Sequence, residues 1–375
     1  MNEDKSSRYH RLRRRADLLG TAVAGVLLLS LLLLGGATRL RELAAMVAQR
    51  GPGGAEDALT VIVMTVALIA ILQIIELPFA FYQGHLLEHH YGLSTQSTAH
   101  WFVDHGKGVA VGIVLAAAGT SVVYFALRLA PDDWWWISAA VFALATVALA
   151  RIAPVLLLPI FYKFKPLDRP ALVDRLMGLA TKARTDVVGV FEWVLSGHTR
   201  KANAALAGMG RTRRILLSDT LLADFSEDEI EVILAHELAH HVYHDIWTGL
   251  AVQGMLMTAA LYAADRVLAL AVGPLNFDGK ADVAALPLVA LTGGAVSLLL
   301  QPVANAVSRA HERRADRYAL EMTRNASAFV SAMKRLGALN LADDRPSSVL
   351  ERVFHTHPPV SARISAAQAW AAGKR

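Results

Sequence analysis

The chain has 375 residues, of which 54% are hydrophobic and only 18% charged, a balance that excludes an ordinary soluble protein. Its 37 Lys and Arg against 32 Asp and Glu give a formal charge of +5, but the excess sits in short arginine clusters beside apolar runs. No nucleic-acid motif accompanies them, which argues against nucleic acid as a partner. There is no cysteine, so disulfides, thiolate nucleophiles and cysteine-ligated metals are excluded, and any metal site must use His, Asp and Glu.

Six apolar stretches are long enough to cross a hydrocarbon core: 18–37, 58–81, 108–129, 134–158, 247–272 and 284–307. The first follows Arg11, Arg13, Arg14 and Arg15. It reads as a retained span rather than a signal peptide, because it is long and no small-x-small cleavage site follows it. Gly51, Pro52, Gly53 and Gly54 mark a loop, Pro131 with Asp132 and Asp133 a tight turn, and Trp134, Trp135 and Trp136 an interfacial belt. Glu76, Asp265 and Arg266 fall inside spans, where charged groups are costly and face protein or a hydrated cavity.

With the arginine-rich N-terminus in the cytoplasm, an even span count places 83–107, 159–246 and the C-terminal tail on that side. Lys163, Lys165, Arg211, Arg213, Arg214, Arg313, Arg314 and Arg317 then all lie inside, as the positive-inside rule requires, with Arg39, Arg41 and Arg50 the exception. Arginine outnumbers lysine 28 to 9, which points to a GC-rich bacterial genome and hence the bacterial inner membrane.

Between and after the spans the pattern changes. Residues 168–184 read as an amphipathic helix, 187–195 as a strand, and 204–210 with 214–217 as further strands of a small antiparallel sheet. Ser226 and Glu229 form a capping box opening a helix expected to run through His244. The fold expected is mainly α: a polytopic membrane helical protein of about six spans with a discontinuous α+β domain carrying the small antiparallel sheet. It divides into 1–158 (four spans), 159–246 (first catalytic segment), 247–307 (two spans) and 308–375 (second catalytic segment).

The chemistry is carried by His236-Glu237-Leu238-Ala239-His240, an H-E-x-x-H motif inside the capped helix. Histidines four apart share one helical face and can grip one metal ion together, while Glu237 on the adjoining edge can take a proton from water. A third ligand is needed with one position left open. Glu312 and Asp316 stand one turn apart after the sixth span, so that one can bind the metal while the other orients a ligating histidine. His241 and His244 read as supporting or exposed residues. His85, His89, His90, His100 and His105 have mixed spacing and read as site-facing or solvated rather than as a second metal site.

Asp278, in Asn276-Phe277-Asp278-Gly279, offers a competing third ligand, since site-2 type intramembrane proteases pair H-E-x-x-H with such an aspartate. Against it, Glu227, Asp228, Glu229 and Glu231 make the motif helix too acidic for a membrane core, and Asp-Gly is an ordinary turn dipeptide.

From about Pro78 to Arg363 the residues resemble the type I CAAX prenyl endopeptidases, integral-membrane zinc metalloproteases with H-E-x-x-H and a downstream E-x-x-x-D. The likeness includes Glu88, Tyr91-Gly92-Leu93-Ser94, Gln96, Asp104, Lys107, Pro154, Pro159 and Phe161-Tyr162-Lys163-Phe164. It continues through Asn203-Ala204, Arg214–Ser218 with Asp219-Thr220-Leu221-Leu222, and His357-Pro358-Pro359 with Arg363. The resemblance implies one zinc ion held by His236, His240 and Glu312, with Glu237 as general base and Asp316 behind the ligands. It further implies His357 at the developing oxyanion, Arg363 supporting the site or substrate, and Asn203 and Ala204 on a substrate-binding edge strand. Eukaryotic members have seven spans where six are read here.

The function expected is a membrane zinc metalloendopeptidase acting on a peptide or membrane-protein substrate at the lipid bilayer. Cleavage of prenylated substrates and membrane-protein quality control both remain open. The alternatives are a non-proteolytic metal-binding membrane protein and the site-2 type protease using Asp278.

Overall fold

The computed structural model describes residues 4–208, 210–344 and 346–373, apart from the Arg211 side chain. Its N-terminal part is helical: α1 (Lys5–Leu33), α2 (Gly36–Ala48), α3 (Glu56–Phe81), the single turn α4 (Glu88–His90), α5 (Thr98–Leu129) and α6 (Trp134–Leu156). Two further long helices, α11 and α12 below, bring the membrane-crossing candidates among the described residues to six, matching the sequence count.

Two departures have local causes. The first span starts earlier than its apolar run and stops at Leu33, because Gly35 adopts a φ of +73°, a left-handed turn that favours glycine. The chain then enters α2, an amphipathic helix in the stretch read as a connection. Likewise α5 begins ten residues before its apolar run, where Ser97 accepts from the His100 amide as an N-cap.

The segment after the fourth span opens with α7 (Leu158–Phe161) and β1 (Lys163–Pro166), followed by α8 (Pro170–Lys182), β2 (Val190–Val194), β3 (Ala204–Ala207), β4 (Arg214–Ser218) and α9 (Asp219–Asp224). The strand order is β1-β2-β4-β3. An antiparallel sheet was expected; it is mixed, because β2 and β4 run parallel, with Val190 opposite Ile215 and Trp193 opposite Ser218. The cause lies in β4 itself. Ile215, Leu216 and Leu217 are buried on both faces, which suits a central strand, so the β3–β4 hairpin inserts β4 beside β2 and leaves β3 at the edge.

The remaining helices are α10 (Glu227–Val242), α11 (Asp245–Ala271), α12 (Leu286–Thr323), α13 (Ala326–Leu339), α14 (Ser348–Phe354) and α15 (Val360–Ala371). The helix expected to reach His244 ends at Val242, because His244 takes a left-handed φ of 59° and starts α11 in a new direction. α12 runs 38 residues without interruption past residue 307, from the apolar stretch into the catalytic segment.

Two cores result. Leu172 and Leu176 of α8, Ile215 and Leu217 of β4, Ile230 of α10 and Phe329 of α13 bury together under the sheet. Met64, Tyr124, Trp134 and Leu268 form the other, among the membrane helices. α10 and α12 join the two by packing along each other, which sets the motif helix against Glu312 and Asp316.

Candidate metal centre

The capping box forms as its residues predict: Ser226 accepts from the Glu229 amide, and Glu229 accepts from the Ser226 amide at 2.8 Å. Ser331 of α13 donates to the other Glu229 oxygen at 2.5 Å, anchoring the start of α10 to the core. Two turns later His236 and His240 project from one face towards α12.

His236 Nε2 lies 3.3 Å from one Glu312 oxygen and His240 Nε2 lies 3.5 Å from the other. Behind them, His236 Nδ1 is 2.9 Å from Asp316 and His240 Nδ1 is 2.9 Å from Asp245. Each ring therefore has its outer nitrogen held by a carboxylate and its inner nitrogen turned to a common point, the arrangement that fixes a ligating tautomer. Glu312 Oε2 is buried with no hydrogen-bond partner, a costly state for a carboxylate oxygen unless a cation completes it. One atom from each of His236, His240 and Glu312 lies within 4.8 Å of the others, so this donor set fits a single metal ion.

Asp316 is itself clamped by Arg363, whose Nε donates to it at 2.8 Å. Burial works to lower the His236 pKa, but the Asp316 and Glu312 carboxylates beside its two nitrogens outweigh it and hold the ring up at about 9. Burial also pushes the Glu237 carboxyl above its ordinary value. Glu237 lines a cavity of about 470 Å³ together with Asn203, Ala204, His357 and Arg363. In that cavity His357 Nε2 is 3.3 Å from Glu312, while its Nδ1 is 2.8 Å from the Thr356 hydroxyl. Glu237, Asn203, Ala204, His357 and Arg363 thus line one cavity beside the clustered donors His236, His240 and Glu312.

The edge strand is positioned by Ser218. Its hydroxyl accepts from the Asn203 amide at 2.9 Å, and its own amide donates to the Asn203 carbonyl at 2.9 Å. By the alternation of an antiparallel ladder, Ala204 and Leu206 then turn their backbone groups to the open side of β3. His241, expected to be a supporting or exposed residue, is half-buried and donates from Nε2 to the Leu206 carbonyl at 3.2 Å. Burial lowers its pKa to about 4, which leaves it neutral.

Asp278 is excluded as a ligand. It is exposed and pairs with Arg41 at 2.5 Å, beyond the far end of α11, whose 27 residues span about 40 Å from the His240 side. Sequence reasoning missed Asp245 and its partner Arg314, which reaches the second Asp245 oxygen. The available signal was an aspartate at the mouth of a span, five residues after the second motif histidine.

Residues 166–371 match the family described as Peptidase family M48. Residues 2–163 match the CAAX prenyl protease N-terminal family, described as having five membrane helices; this chain supplies four helices of crossing length there, plus the 13-residue α2. Among curated proteins, the chain is 32% identical to the uncharacterized metalloprotease YhfN of Bacillus subtilis, over 82% of this chain and 72% of that one. It is 29% identical to a CAAX prenyl protease 1 homolog of Oryza sativa, over 78% and 70% respectively. The crystal structure of S. mikatae Ste24p shares the fold, with a TM-score of 0.84 at 19% identity, covering 97% of this chain and 88% of that one. With the match to Peptidase family M48 spanning more than half of the chain, this protein belongs to that family and is an integral-membrane metalloendopeptidase.

Proposed function

We propose that the protein is a zinc endopeptidase of the bacterial inner membrane, with its active site towards the cytoplasm, that hydrolyses a peptide bound as an added strand along β3. The observation carrying this reading is the pair of imidazoles whose outer nitrogens are locked by Asp316 and Asp245 while their inner nitrogens converge on Glu312 beside Glu237. His236, His240 and Glu312 hold the ion, which when bound supplies Lewis-acid polarisation of the scissile carbonyl and activation of water.

The protein's own groups do the rest. The open backbone groups of Ala204 and the Leu206 amide receive the extended substrate, with the Leu206 carbonyl held by His241, and Asn203 steadies its backbone. Glu237 accepts the proton of the attacking water and later returns it to the leaving amine; its raised pKa suits both halves of that task. His357, with Nδ1 accepting from Thr356, presents Nε2–H to the developing oxyanion. Arg363 keeps Asp316 charged and in place behind His236.

The cavity has an apolar lining of Ile233, Met333, Leu336, Phe354 and Val360 that is not specific to one substrate class, so cleavage after a lipidated cysteine and cleavage of plain membrane-protein segments are both within reach. The test is hydrolysis by the detergent-solubilised protein, with chelator, with zinc restored, and with Glu237→Gln, on a farnesylated CAAX peptide and an unprenylated hydrophobic one. Chelator-sensitive cleavage restored by zinc and lost in the variant supports the reading. Turnover that persists in Glu237→Gln overturns the mechanism, and the ratio between the two peptides sets the substrate class.

A further inference from the structure

A second group of ligating atoms lies where the membrane helices meet the catalytic sheet. His100 and Asp104 stand one turn apart on the first turns of α5, and His198 comes from the loop between β2 and β3. One nitrogen from each histidine and one oxygen of Asp104 lie within 4.8 Å of one another. Asp104 Oδ2 is 3.4 Å from His198 Nδ1 and 3.8 Å from His100 Nε2. Ligands about 2.0–2.1 Å from one tetrahedral ion stand about 3.3 Å apart, so rotation of the half-exposed His100 ring closes the set.

The Gln96 amide stands where an ion would. Its Nε2 donates to Asp104 Oδ2 at 2.7 Å and lies 3.3 Å from His198 Nδ1, bridging two of the three ligand atoms with partial positive charge. With His198 Nδ1 unprotonated, its lone pair faces the Gln96 amide and the same inward point. Lys107 occupies the other carboxylate oxygen, Asp104 Oδ1, at 3.0 Å and leaves Oδ2 to the histidines. Other histidines of this loop have partners of their own: His85 bonds Thr98, His89 bonds the His85 carbonyl, and His105 stacks on Trp101.

We propose that His100, Asp104 and His198 form a second transition-metal site, selective for zinc-class divalent ions, that ties the start of α5 to the loop feeding β3. Two imidazoles and one carboxylate suit Zn²⁺, Co²⁺ or Ni²⁺ and disfavour Mg²⁺ and Ca²⁺. A water or the turned Gln96 oxygen completes the shell. The two segments already meet through backbone hydrogen bonds, Thr95 to the His198 carbonyl at 3.2 Å and Arg200 to the Leu93 carbonyl at 2.8 Å. The ion adds a side-chain clamp across that seam, four residues from Ala202 and five from Asn203. Solvent access at His100 and competition from Lys107 make the site the weaker of the two.

The test uses full-length protein in detergent, stripped with chelator and dialysed to equilibrium against Co²⁺ while absorption is recorded. Two ions per chain are expected, one tight and one weaker, falling to one in His100→Ala and in His198→Ala, both of which keep peptide hydrolysis. His236→Ala should lose the other ion and retain this one, so failure of the zinc-peptidase reading shows separately. His198 also shapes its loop, so His100→Cys guards against misfolding. The chain has no cysteine, so a thiolate-to-cobalt charge-transfer band in that variant arises only at residue 100. A single ion in the wild type, two ions in both alanine variants, or no such band in His100→Cys overturns the proposal.

Discussion

The two histidine–carboxylate clusters use similar donors and differ in how they are held. Around His236 and His240, each ring is fixed from behind by a carboxylate, Asp316 is fixed in turn by Arg363, and the Glu312 side chain is only 7% exposed. Around His100 the ring is 51% exposed, the carboxylate is shared with a lysine, and an amide sits between the ligand atoms. The first cluster has its geometry before an ion arrives, whereas the second must give up hydrogen bonds to form. The lesson is that outer hydrogen bonds, rather than donor count, separate a built centre from an assembled one.

That contrast can be broken at several points. The largest effect belongs to Glu237→Gln, expected to lower kcat by about 10²- to 10⁴-fold with metal content unchanged by elemental analysis. Loss of the metal instead would mean that Glu237 is part of the built shell. Next, Asp245→Ala frees the His240 ring and should weaken zinc by about 10- to 100-fold in competition with a chromogenic chelator. Lys107→Met, beside the other cluster, should leave that affinity as it was. Equal zinc affinity in Asp245→Ala and the wild type would remove the basis of the comparison.

A smaller effect is expected at the edge strand. His241→Phe removes one hydrogen bond to Leu206, about 1 kcal/mol, and should raise KM several-fold with kcat little changed. The smallest concerns the turn between α10 and α11, where His244 holds a left-handed backbone. His244→Gly should raise stability by about 1 kcal/mol in a thermal scan and leave zinc affinity alone; lower affinity would show that this turn, and not Asp245 alone, positions His240.

The legible parts of the molecule are those written in short range. The capping box, the four-residue spacing of His236 and His240, and the one-turn spacing of Glu312 and Asp316 follow from helical period, and the six spans follow from apolar length. Other features depend on partners far along the chain. Asp245 acquires its role through the turn at His244, and β4 becomes central through burial on both faces. His198 meets Asp104 only because the loop after β2 docks on the start of α5. The α2 helix was hidden for another reason: its amphipathic pattern is too short for a span, and its start depends on the conformation of one glycine.

The unbroken course of α12 sets a ruler. Its apolar run ends near Val307, and Glu312 follows five residues later, about 8 Å along the axis. On the other side of the centre, His240 stands five residues before α11 begins at Asp245. Both halves of the centre are thus mounted at the ends of helices long and apolar enough to cross a bilayer. On the proposed function, a peptide bond would be cut where the chain carrying it can be brought to the ends of those helices. Distance from the membrane would then select substrates before any side chain is read.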